Sequence, residues 1–185
     1  MSKKKEKKAI LQQQKANVFR DRKGRIYYLN PKNDEVHRVV TQNEGFIYIY
    51  DAVALFSLLP LTLGYAILKI DKLLLAVISI TIYIGITVFY HMKLKELPTT
   101  TTIPEDVEKQ MNSIDVLKAR RNDLLLKFTM AFLVIIIIIT DILNEKIVVD
   151  SSEIGIILSL TFAIYVGLKL LIQYYKTIRK IRQKR

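Results

Sequence analysis

The sequence predicts an all-α integral membrane protein: four transmembrane helices in two hairpins, with N- and C-termini cytoplasmic and a small β-meander before the first span. Three observations predict it. The chain has 185 residues and a formal net charge of +12, yet 51% of its residues are hydrophobic. Its mean hydropathy is +0.22. A soluble basic protein rarely combines the two, so charge and apolar surface must be segregated along the chain. They are, into four apolar runs that each approach the roughly 20 residues needed to cross a hydrocarbon core. Between the runs, Lys and Arg alternate in abundance. Residues 1–44 hold twelve, 69–72 two, 93–123 six, 144–153 one and 176–185 six. Basic residues are retained on the cytoplasmic side, so the order high, low, high, low, high places both termini and the middle loop inside. A soluble enzyme, a disordered basic tail and an ordinary DNA-binding domain are excluded by this pattern.

Residues 1–17 form a basic leader rich in Lys and Gln. It has too few apolar groups to build a core and is expected to stay mobile beside an anionic leaflet. It lacks the aromatic interleaving of a nucleic-acid binder, so no nucleic-acid partner is expected. Residues 18–44 read differently. VFRD, RIYYLN and EVHRVV alternate as strands, with turn signals at Gly24, at Asn30-Pro31 and at Asn33-Asp34. Gly24 can supply the positive φ of a tight turn. The run Gly24-Arg25-Ile26-Tyr27-Tyr28, followed by an Asn-containing turn, resembles the middle of a WW domain over about 20 residues. Both signature tryptophans and the closing proline of that family are missing. A groove for proline-rich ligands needs those aromatics, so no binding residue is carried over. A three-stranded meander of this size is marginal alone and should lean on the membrane or on other cytoplasmic segments.

The first hairpin covers 45–92. Its first span, Gly45–Leu68, is interrupted by Asp51 and carries Pro60, expected to kink it. Its second, Leu73–Met92, has no Asp, Glu, Lys or Arg. A soluble helix would show a polar stripe there. Residues 93–123 form a cytoplasmic loop. Pro104, Glu105 and Asp106 make a good helix start, because proline is preformed for the first position and acids suit the N-terminal dipole. Val107, Met111, Ile114, Val116 and Leu117 follow at near-helical spacing, giving an amphipathic helix that should run into the third span as a surface-lying connector. The second hairpin covers 124–175, with spans Leu124–Leu143 and Ile154–Tyr175. The run Ile135–Ile139 is β-branched, but in hydrocarbon the backbone must satisfy itself, so it should still be helical. The small residues Gly64, Ser79, Gly85, Thr87, Gly155, Ser159 and Gly167 suit close helix packing. Residues 176–185 are a basic cytoplasmic tail. The first apolar run starts too late for a signal peptide.

Chemistry is sparse. Cysteine is absent and only His37 and His91 are present, so no catalytic residue, cofactor site or metal site is expected. No HExxH, GxSxG, GxGxxG or Walker lysine appears. Ionisable residues in spans are functional candidates by default, and four qualify: Asp51, Lys127, Lys169 and Asp141, the last expected near the outer end of the third span. Asp51, Lys127 and Lys169 lie at similar inner-end depth, so Asp51 is a candidate membrane ion pair with Lys127 or Lys169. Tyr28 and Met111 mark a candidate partner surface. The expected function is non-enzymatic: an accessory, immunity or partner subunit for another membrane or envelope component. A small transporter or channel subunit is the alternative. Expected partners are a bilayer with anionic lipids and a membrane protein or a second copy of this chain. The expected home is the cell membrane, as a bacterial multi-pass protein.

Overall fold

A computed structural model describes residues 14, 16–31, 33, 35–40, 44–68, 70–144 and 151–184. Nearly all of the 1–17 leader and the link 145–150 lie outside the described residues. The protein is mostly helical. In chain order it has strands β1 (Val18–Arg20), β2 (Ile26–Leu29) and β3 (Val36–Val39). Among the described residues six α-helices follow: α1 (Gly45–Asp51), α2 (Val53–Leu63), α3 (Lys72–Lys95), α4 (Glu105–Met111), α5 (Ile114–Asn144) and α6 (Ser151–Arg182). A π-helical turn, Gly64–Leu68, continues α2. The chain divides into two compact units. One comprises Met1–Asp51, Phe89–Asp123 and Tyr175–Arg185, the other Ala52–Val88 and Leu124–Tyr174.

The first unit is built on the meander. The sheet is antiparallel in the order β1-β2-β3. Val18 pairs with Tyr28, and Ile26 with Val39. Gly24 has φ +77°, which no side chain adopts without strain. Strand side chains alternate between faces, and here both faces are apolar. Val18, Ile26, Tyr28 and Val39 pack with Phe46 and Ile47 of α1 and with Tyr90 and Leu97. On the other face Phe19, Tyr27 and Val36 pack with Val107 of α4 and Val116 of α5. The sheet thus leans on α1, α4, the C-terminal end of α3 and the N-terminal end of α5, which supply the surface it cannot bury alone. Its edges are covered too. Gln110 Nε2 donates to the Arg20 carbonyl at 2.9 Å. Beyond β3, Arg38 N–H donates to the Pro98 carbonyl, and Thr100 N–H to that of Val36. These bonds occupy edge groups that another strand would otherwise use.

The second unit is helical. Leu73 meets Gly155, where a Cβ would lie 2.2 Å from the Leu73 nitrogen. Further along, Tyr83 meets Phe162 and Tyr165. Helices α3 and α6 therefore run parallel. Lys72 contacts Asp141, and Gly167 faces Ala131, so α5 runs antiparallel to both. Asp71 opens α3, its carboxylate accepting the Leu74 N–H at 2.9 Å.

Helices α3, α5 and α6 are each long and apolar enough to cross a membrane. The expected first span is not one straight helix. Helix α1 and the stretch Val53–Ile67 meet at 50°, and they make a fourth span only if counted together. Seven of the residues assigned to that span form α1, whose Phe46 and Ile47 cover the sheet. The break falls at Ala52, while Pro60 sits inside α2. The connector is also divided: Asn112 ends α4, and a turn at 112–113 separates it from α5. The α4 face is buried on the sheet, with Val107 fully enclosed.

Candidate partner-binding face

The sheet unit gathers most of the polar chemistry. The β1–β2 turn reads Asp21-Arg22-Lys23-Gly24-Arg25. The buried Asp21 carboxylate accepts the N–H groups of Lys23 and Arg25 and the Arg25 guanidinium at 2.5 Å. Desolvation alone would raise the Asp21 pKa. The hydrogen bonds from Arg25 and Lys23 and the Arg25 charge outweigh it, and hold the carboxyl below its usual 3.8. The Arg25 guanidinium is raised in turn, chiefly by its bond to Asp21. The Arg22 N–H donates to Asp106 Oδ2 at 2.9 Å, which joins the turn to α4. An open cavity of about 460 Å³ lies between them, with Arg22, Lys23, Glu105 and Lys109 on its wall. Glu105 is bridged to Lys109 at 2.5 Å. The acids around this cavity are thus engaged, while the Arg22 and Lys23 side chains are presented outward.

An aromatic cluster lies on the opposite face of the sheet. The Tyr28 and Tyr90 hydroxyls are 2.8 Å apart. Tyr50 stacks on Tyr90 with ring centroids 3.6 Å apart, and His91 stands edge-on to both rings. Burial pushes the Tyr28 phenol well above its ordinary pKa, and Tyr90 adds to the shift. Tyr28 is 2% exposed. It therefore holds the core and does not itself offer a partner surface, because its ring must cover α1 and α3. Met111 is half-buried and packs at the margin of the other core. Around it, Glu108 and Lys109 are exposed.

Asp51 ends α1 in the sheet unit, whereas Lys127 and Lys169 belong to the helical unit. Lys127 is buried on α5. Lys169 donates to the Tyr83 hydroxyl at 2.6 Å. Two contacts were not read from the sequence. One is this Lys169–Tyr83 bond. The other is the ion pair of Lys72 with Asp141 at 2.7 Å, beside which Lys72 also lies 5.8 Å from the Tyr65 ring centroid. The alternating hairpin topology held the signal for the ion pair. Lys72 opens α3 and Asp141 lies near the end of the antiparallel α5, so the two fall at the same end of the helical unit. Among the described residues no three His, Cys, Asp or Glu gather as a metal site. Comparison with family models, curated proteins and solved structures gives no match.

Proposed function

We propose that this protein is a four-pass protein of a bacterial cytoplasmic membrane, with the sheet unit inside. In this reading it acts without turnover chemistry, as an accessory, immunity or partner subunit of another membrane or envelope component. The observation that carries this reading is how the charged groups are used. In the helical unit Lys72 is spent on Asp141 and Lys169 on Tyr83; these contacts hold helices together. The sheet unit offers the opposite: a rigid basic turn, an open cavity and exposed residues on α4. Binding energy is available where charged groups still face water, so a partner is met at the inner face.

The test places photocrosslinkers at Glu108 and Met111 of the full chain in its native membrane. The same membrane protein should be captured at both positions, and Arg22→Glu with Lys23→Glu should weaken capture. No capture, together with ion or solute movement by the purified protein in liposomes, would replace this reading by a transporter or channel subunit. One observation favours that alternative. The hydroxyls of Ser79 and Ser159 are buried without a hydrogen-bond partner among the described residues, as polar groups of a pathway would be.

A further inference from the structure

Helix α6 runs unbroken from Ser151 to Arg182. Its apolar stretch reaches Tyr175, and residues 176–184 then carry Lys176, Arg179, Lys180, Arg182 and Lys184 with no Asp or Glu. This stretch is two-sided. Thr177 and Ile181 are buried. Tyr175, Lys176, Arg179, Lys180 and Arg182 are exposed. Beyond the helix, Lys184 Nζ donates to the Asn112 carbonyl at 3.2 Å and to the Asn112 side chain. The end of α6 is thereby tied to the turn between α4 and α5. The charges therefore sit on a fixed helix, with one stripe packed inward and a broad basic face outward.

Depth follows from helix geometry. Arg182 lies seven residues past Tyr175, so at 1.5 Å per residue the whole basic face lies within about 10 Å of the end of the span. The potential of an anionic leaflet decays over about 8 Å at physiological salt. Lys and Arg stems can also lean back toward the headgroups. Exposed Tyr175 occupies the level where amphipathic rings settle at a membrane interface.

We infer that the exposed face of α6 over Lys176–Arg182 is a docking surface for anionic lipid headgroups of the inner leaflet. This rests on the four-pass reading, which puts this end of α6 inside. Phosphate oxygens of the headgroups accept hydrogen bonds from the ammonium and guanidinium groups, and the fixed helix removes much of the ordering cost of binding them.

The experiment uses the full chain in nanodiscs of equal phosphatidylcholine and phosphatidylglycerol. Lipids retained by the released protein are counted by native mass spectrometry. Wild type should be enriched in phosphatidylglycerol. Each basic residue near an anionic surface contributes a factor of about five, so K176Q/R179Q/K180Q/R182Q should reduce the enrichment about tenfold or more. The interchange K176R/R179K/K180R/R182K should keep it, which separates lost charge from lost folding. The leader variant K3Q/K4Q/K5Q/K7Q, with the same charge loss outside α6, should reduce it far less. Unchanged enrichment in the tail variant, or equal loss in the leader variant, overturns the inference. So does binding of a labelled single-stranded RNA in phosphatidylglycerol-free nanodiscs with the same four-residue dependence; the surface would then serve nucleic acid. A reporter fused at residue 185 separates the two readings. If it reads cytoplasmic while the tail variant is silent, only the lipid surface fails. If it reads external, the four-pass reading fails with it.

Discussion

At the residue scale, Tyr28 shows how a sequence signal can be right in kind and wrong in place. Two adjacent tyrosines on a short strand announce aromatic surface, and alternation sends them to opposite faces. Tyr27 reaches α4 and Tyr28 reaches Tyr90. That both would be buried was not legible, because that depends on α1, α3 and α4 arriving from elsewhere in the chain. Tyr28→Phe leaves the buried Tyr90 hydroxyl without this partner and should lower unfolding stability by about 1–3 kcal/mol. The double change Tyr28→Phe, Tyr90→Phe should recover much of that loss, measured by thermal unfolding of the detergent-solubilised chain. Asp21 makes a second prediction. Its carboxyl is held below 3.8 in the folded protein. Its stabilisation is therefore complete above the ordinary carboxylate pKa and is lost as pH falls through the lowered value. The stability gap between wild type and Asp21→Asn should be full at neutral pH and should close on acidification below 3.8.

At the element scale, the strands were legible from turn chemistry. Gly24 and the Asn-rich second turn mark where the chain reverses. The long helices were legible from uninterrupted apolar runs. Two breaks were missed. Asn112 and Ser113 are residue types that favour helix ends, and the Ser113 carbonyl accepts the Leu117 N–H at 3.1 Å as α5 begins. Their signal was present and was overridden by continuous apolar spacing across the junction. The bend at Ala52 had no comparable local mark. It follows from the sheet's need for cover, which Phe46 and Ile47 meet. Small residues were equally uneven guides. Gly155 lies where a Cβ would strike the Leu73 backbone at 2.2 Å, while Gly85 faces open space. Gly155→Ala should therefore destabilise by about 1–3 kcal/mol through overpacking. Gly85→Ala should be neutral or stabilising by up to about 1 kcal/mol. Thermal unfolding of both variants in the same detergent checks the contrast.

At the scale of the whole molecule, the two kinds of residue that made the composition unusual build two different units. Apolar runs make a helical unit whose surface is rich in exposed Leu, Ile, Val and Phe, which a membrane would cover. The segments between and beside those runs make the sheet unit, drawn from three stretches of chain far apart in sequence. That assembly explains how so short a meander is stabilised: its partners are the loop, α1 and the C-terminal end of α3. The class of molecule was legible because hydrocarbon leaves the backbone few options. The proposed partner-binding face was not, since Arg22 of the β1–β2 turn and Asp106 of α4, which join through a hydrogen bond, are 84 residues apart. The account turns on which side of the membrane the sheet unit occupies and on the bent α1–α2 pair completing a fourth pass. Reporter fusions at residues 10, 110 and 185 and near Asp150 measure this directly. Four-pass insertion with the sheet unit inside should give cytoplasmic readings at 10, 110 and 185 and an external one near Asp150. An external reading at 110 would contradict it, because the middle loop and the sheet it covers could not then lie inside.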